Sequence, residues 1–219
     1  IRNPATCLIA TKDVDIVSNG VDIDKFKPTG SRQDTSERKI LFIGEFKWIQ
    51  NRDAIEFILK EIWPKLQSEF ISPMNGKGIK LWVVGRNIPN SVKKLTKDKS
   101  VIFDENAPKE TERIYQEADL LLAPIRVGGG TSFKILEAMA SGVPVLTTDL
   151  GNAIGAQNNM EIVISKTSND FVRNIKELLE NEKFYNLISE NARKLVEEKF
   201  NWVKISKDLN EIYESAVKY

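Results

Sequence analysis

The sequence predicts an α/β fold, a doubly wound parallel six-stranded sheet flanked by helices, with further helices at its C-terminal end. Three observations predict it. Short apolar runs alternate with stretches at helical spacing, the pattern of strand–helix–strand crossovers. The first two runs, 39–44 and 80–85, stop at Gly44 and Gly85, where loops at a sheet's carboxyl edge need close backbone approach. After residue 164 the pattern becomes wholly helical.

The N-terminal part is the least regular. Residues 5–10 form an apolar run, and 14–17 is a candidate strand. Asn19-Gly20 is a turn signal, and the polar segment 29–38 reads as a surface linker. Residues 39–44 are apolar on both alternating faces, which suits a strand covered from both sides. Asn51 or Asp53 is placed to cap the helix that follows, where Ile55, Ile58, Leu59 and Ile62 recur at helical spacing and Pro64 falls near the end. Residues 80–85 make a second strand, 91–97 a short helix, and 101–103 a brief third strand. Residues 111–118 form a helix with Ile114 and Ala118 facing in. Strands four, five and six follow at 120–123, 144–148 and 161–164. The C-terminal helices span 169–179, 182–199 and 203–217, each with an apolar stripe; Ile205, Leu209, Ile212 and Tyr213 form the last one, which has surplus apolar surface.

Composition narrows the function. The chain has 219 residues and a net charge of +1 from 32 basic and 31 acidic side chains, a balance that argues against a nucleic-acid surface. With no histidine, it cannot by itself supply a Ser-His-Asp triad, a histidine base or a histidine metal ligand. The single Cys7 excludes an internal disulfide and a cysteine zinc site, and fits a reducing compartment. No run approaches about 18 apolar residues, and the N-terminus lacks the pattern of a signal peptide. A start at Ile1 without methionine points to a fragment.

Between strands four and five lie Gly128, Gly129, Gly130 and Thr131, followed by a short helix at about 132–140. Three glycines leave backbone N–H groups uncovered, and they aim at the start of a helix, whose dipole favours negative charge. Lys134 in the first turn adds a positive charge, and Glu137, one turn on, can accept from hydroxyls. A phosphate beside Lys134 and a sugar hydroxyl beside Glu137 describe a nucleotide or a nucleotide-sugar. In a doubly wound sheet the ligand lies beyond the carboxyl ends of the strands, at the reversal between strands one and four, so loop 45–51 should face the glycine loop.

Ser18-Asn19-Gly20-Val21-Asp22, Phe26-Lys27-Pro28, the runs 39–44 and 83–85, and residues 124–148 together resemble the C-terminal half of the retaining group 1 glycosyltransferases, which have two facing Rossmann-like domains in the GT-B fold. The resemblance runs from about residue 14 to the end. Its linker is Asn-Gly-Val-Asp, and its signature is Lys-Ile-Leu-Glu-Ala-Met-Ala-x-Gly-x-Pro-Val. It implies a linker with residual N-terminal-domain segment at 1–37, a Rossmann-like nucleotide-sugar-binding domain at 38–200, and a helix at 201–219 packing toward a missing N-terminal domain. It implies transfer from a UDP-, GDP- or other nucleotide-sugar to a glycan or lipid-linked acceptor, with retention and without a metal or other cofactor. The expected location is cytoplasmic, with the cytoplasmic membrane face as the alternative.

The residue roles implied are these. Glu137 matches the second Glu of a Glu-x7-Glu motif and would hold the ribose hydroxyls, while Lys134 reaches the diphosphate; both are carried over as catalytic. The first Glu of that motif is replaced by Gly129, so its sugar contact is lost or made by amides of Gly129 and Gly130. Some relatives carry such a Gly-Gly-Gly-Thr loop. Glu45 stands where Arg is usual, with Lys47 as its substitute, and Gly44 and Gly85 line the site. Phe103, with Asp104 and Glu105, would meet the base through backbone groups, and Arg126 would support the glycine loop. Alternatives are a non-catalytic nucleotide-sugar-binding module, an epimerase or a glycogen-type phosphorylase. A nicotinamide dehydrogenase is disfavoured, because no Gly-x-Gly-x-x-Gly follows the first strand.

Overall fold

Alternation along the strands divides the interior into two cores, one on each face of a parallel sheet. The computed structural model describes residues 16–28, 37–69, 78–106 and 110–217. Its strands are β1 (Glu37–Ile43), β2 (Gly78–Val84), β3 (Val101–Asp104), β4 (Leu120–Ala123), β5 (Val145–Thr147) and β6 (Val163–Ile164). They pair in the order β3-β2-β1-β4-β5-β6, every pair parallel. Ile40, Phe42, Leu81, Val83, Leu120 and Leu122 point into one core, and Leu41, Val84, Leu121 and Ala123 into the other. Because both faces are covered, the central strands are continuous apolar runs. The expected Rossmann-like α/β fold is the observed one, with the reversal of strand order between β1 and β4.

The first core is roofed by α1 (Ile49–Phe57), a π-helical turn at Ile58–Ile62, α2 (Trp63–Glu69) and α6 (Ser168–Glu180). α3 (Asn90–Lys93) adds Val92. The second core takes α4 (Thr111–Gln116), α5 (Phe133–Ala140) and α7 (Glu182–Lys199), together with Val21 and Phe26 of the N-terminal segment. α8 (Trp202–Val217) buries Ile205, half-buries Leu209 and Ile212, and leaves Trp202, Val203 and Tyr213 exposed. Thr167 caps α6 in a reciprocal capping box with Asp170.

Several expectations are corrected. Neither Asn51 nor Asp53 caps α1; the N-cap is Trp48, without a side-chain bond, and Asn51 sits inside the helix. Pro64 lies within the continuous helical rod rather than near its end. A π turn precedes it, in which the Trp63 N–H reaches the Ile58 carbonyl five residues back, so the register shifts just where proline has no N–H to give. The helix expected at 91–97 is the single turn of α3. Ala118 falls beyond α4 but still packs against the second core, and Tyr115 is the residue buried beside Ile114 within the helix. Ile16 and Val17 are not in a strand; the ladder-like contact there is the bridge between Val21 and Asn201. The run 5–10, Cys7, the start of the candidate strand at 14–17 and most of linker 29–38 lie outside the described residues.

Candidate functional site

Two loops meet at the carboxyl edge where β1 and β4 diverge. One follows β1 and carries Gly44 to Trp48; the other follows β4 and carries the glycine loop into α5. The loops face each other as expected, since a Cβ on Gly128 would lie 3.8 Å from Cβ of Gln50. Gly128 and Gly130 have φ of 105° and 83°, the left-handed region that glycine adopts without strain. Nothing lies within 4 Å of a Cβ built on Gly129 or Gly130, so their backbone faces open space. Thr131 is half-buried beside them, and Ser132 is the N-cap of α5 with no side-chain cap bond.

Lys134 projects from the first turn of α5 toward β1. Its ammonium donates to Asn51 Oδ1 at 2.7 Å and lies 5.4 Å from the centre of the Phe42 ring. The Asn51 amide in turn donates to the Glu45 carbonyl at 2.8 Å. Asn51 therefore clasps the β1 loop and aims Lys134. Burial lowers the Lys134 pKa to about 8, against the pull of Glu137 in the opposite direction. Arg126, expected to support the glycine loop, forms a salt bridge to Asp53 of α1 at 2.8 Å, with its guanidinium carbon 4.1 Å from the Phe57 ring centre.

Glu137, one turn after Lys134, is half-buried. Its Oε2 accepts from the Tyr115 hydroxyl at 2.7 Å. Burial pushes the Glu137 carboxyl up, while the Tyr115 bond and then the charges of Lys25 and Lys134 pull it down. The Tyr115 hydroxyl is pushed well above 10, first by burial and then by Glu137.

The other expected residues have partners within the protein. Lys47 is exposed and paired with Glu45 at 2.9 Å, so its charge is already partnered. Gly85 is needed by the protein itself: a Cβ there would lie 2.0 Å from the Gly44 carbonyl oxygen. A Cβ on Gly44 would meet the Asn51 side chain at 2.6 Å, so Gly44 makes room for the clasp. Phe103 packs its ring against the first core, leaving its backbone on the edge strand β3. Glu105 holds the loop after β2, accepting from the Ile88 N–H at 3.1 Å and pairing with Lys93. Asp104 accepts from Asn106 N–H at 3.0 Å, closing the turn after β3.

Sequence reasoning missed Asn51 as a partner of Lys134, and Tyr115, Phe26 and Lys25 around Glu137. The Asn-Gly-Val-Asp…Phe motif contained the signal for Phe26, which packs edge-on against Tyr115 at 5.8 Å. Among the described residues there is no cluster of three His, Cys, Asp or Glu suited to a metal, and no helix long and apolar enough to cross a membrane.

A family model described as "Glycosyl transferases group 1" matches residues 37–181. An uncharacterized glycosyltransferase of Methanocaldococcus jannaschii is 25% identical over 94% of this chain and 54% of its own length. The capsular polysaccharide biosynthesis glycosyltransferase CapM of Staphylococcus aureus is 27% identical over 92% of this chain and 54% of its own. The chain thus spans about half the length of these relatives. Among solved structures, HepE of Anabaena, crystallised with UDP and glucose, superposes with a TM-score of 0.68 at 16% identity, over 92% of this chain and 57% of that one. The structural neighbours are GT-B glycosyltransferases.

Proposed function

The chain belongs to the glycosyl transferases group 1 family, and from that membership we propose that it is the half that binds a nucleoside-diphosphate sugar. It does so for transfer to a glycan or lipid-linked acceptor with retention at the anomeric carbon. One observation carries this reading: the open glycine loop, the Asn51-held Lys134 and the Tyr115-held Glu137 converge at the β1/β4 reversal. Anion-binding amides and one ammonium lie beside one carboxylate that can accept from hydroxyls, a set that suits a diphosphate next to a ribose.

The chemistry assigned to the site is electrostatic. As the bond from anomeric carbon to phosphate oxygen breaks, negative charge grows on the nucleoside diphosphate. The amides of Gly129 and Gly130, the N-terminus of α5 and the Lys134 ammonium are donors preorganised for that charge. Glu137 anchors the ribose and fixes where the diphosphate lies. Lys47, already paired with Glu45, contributes less than the resemblance implies. The reading takes its polysaccharide context from CapM and its first probe, UDP, from the HepE structure.

Calorimetric titration of UDP- and GDP-sugars into wild type, Lys134→Ala and Glu137→Ala tests it. Binding by wild type, weakened at least tenfold in either variant, is the expected result. A folded wild type that binds no nucleotide-sugar sinks the reading. The acceptor site is assigned to the half not included in these 219 residues. Residues 1–219 alone should therefore bind the sugar nucleotide yet turn over little, and brisk transfer by this chain would contradict that division of labour.

A further inference from the structure

Tyr115 is fully buried at the end of α4, in the core formed by α5, α7 and the N-terminal segment. Packing there asks only for a ring. Phe26 meets it edge-on at an interplanar angle of 74°, and a phenylalanine would fill the same space. A hydroxyl in such a place is costly unless bonded, and this one donates to Oε2 of Glu137 at 2.7 Å. Among the described residues it is the one hydrogen-bond donor to that carboxylate, so Oε1 keeps its lone pairs.

The seat behind Tyr115 is also built. The Arg193 guanidinium donates to the carbonyls of Phe26 and Ala140, each at 2.6 Å, and to that of Ile23 at 3.2 Å. Ala140 is the last residue of α5, the helix that carries Glu137. Arg193 thus fixes the backbone of Phe26 to the helix of Glu137, with the Tyr115 ring between them. Lys25, next to Phe26, pairs with Glu112 of α4 at 3.6 Å and closes the same unit.

We propose that Tyr115 is a positioning residue: seated by Phe26, its hydroxyl holds one oxygen of Glu137 and thereby presents the other to the ribose hydroxyls of the nucleotide. This rests on the sugar-nucleotide reading above. A hydrogen bond to a charged acceptor restricts the carboxylate to one rotamer, so the cost of ordering it is met before the ligand arrives.

The test is a cycle between protein hydroxyl and ligand hydroxyls. UDP, GDP and their 2′,3′-dideoxy counterparts are titrated into wild type, Tyr115→Phe and Glu137→Ala, with folding checked by circular dichroism. Tyr115→Phe should weaken the ribonucleotide by about tenfold and leave the dideoxy compound's affinity unchanged, as expected for loss of one charge-assisted bond. A general packing defect would weaken both alike, and that result, or no change with either, overturns the proposal. Phe26→Leu keeps the hydroxyl but removes the ring that seats it. It answers the same question if Tyr115→Phe misfolds: selective loss of the ribonucleotide supports the seat, and equal loss of both compounds refutes it. The Glu137→Ala arm separates the two readings. If that variant keeps the full preference for ribonucleotides, or wild type binds neither nucleotide, the sugar-nucleotide reading itself fails. If Glu137→Ala loses the preference and Tyr115→Phe does not, only the role of Tyr115 fails.

Discussion

Raising the pH should discharge the Lys134 ammonium. Lys134 has its pKa lowered to about 8 by desolvation of its half-buried side chain, whose ammonium lies against Phe42 and Asn51, and an incoming diphosphate meets it mainly as a cation below that value. Between about pH 7 and about pH 9 its charged fraction falls from about nine-tenths to about one-tenth. If binding requires the charge, affinity for UDP drops about tenfold, or about 1.4 kcal/mol. Tyr115 stays neutral throughout, since its hydroxyl is pushed well above 10. Calorimetry at each pH, in buffers of different ionisation enthalpy, reads both the affinity and the proton taken up on binding. Lys134→Met should bind more weakly at about pH 7 and show no such slope. A flat wild-type profile with binding intact, or the same slope in Lys134→Met, refutes the assignment of Lys134 to the diphosphate. Stability moves the opposite way. The folded chain holds the Lys134 proton less tightly than the unfolded chain, so this lysine destabilises the fold below about pH 8, and the cost is relieved as pH rises from about 8 toward 10.5.

Asn51→Ala removes both the clasp on Glu45 and the partner of Lys134 and should cost about 1–2 kcal/mol of stability together with UDP affinity, whereas Asn51→Asp should move the pH midpoint of binding above about 8. Chemical denaturation and the same calorimetry read these effects. Gly85→Ala should cost about 3 kcal/mol, because its Cβ would lie 2.0 Å from the Gly44 carbonyl oxygen; Gly129→Ala, with nothing within 4 Å, should leave the denaturation midpoint unchanged. Gly128→Ala, at φ 105°, should cost about 1 kcal/mol and weaken UDP by pulling the loop amides out of line. Arg193→Met leaves three carbonyls without their shared donor, Nη1, and should lower stability by about 2–3 kcal/mol.

The pattern of what could be read from the chain follows from where each residue's partner lies. The sheet was legible because its central strands are buried on both faces, and burial on both faces forces an uninterrupted apolar run such as Leu120 to Ala123. The glycine loop was legible for the opposite reason: its backbone faces open space, and three adjacent glycines have no packing reason to exist. What lay between these cases was hidden. Asn51 carries the chemistry of a helix cap and sits near a helix start, yet its side chain turns 83 residues along the chain to Lys134. No local rule ties the first turn of α1 to the first turn of α5, because only the β1/β4 adjacency brings them together. Tyr115 reads as an ordinary inward residue of an amphipathic helix, and only its hydroxyl, which periodicity ignores, distinguishes it from core. Gly85 was legible as a point of close backbone approach, and the backbone that approaches it is that of Gly44. Sequence pattern therefore reported on contacts with solvent and with the averaged core. The groups that aim Lys134 and Glu137 are neither, being single polar atoms set against one another across strand–helix crossovers, and their identity is decided by topology before local spacing can act on it.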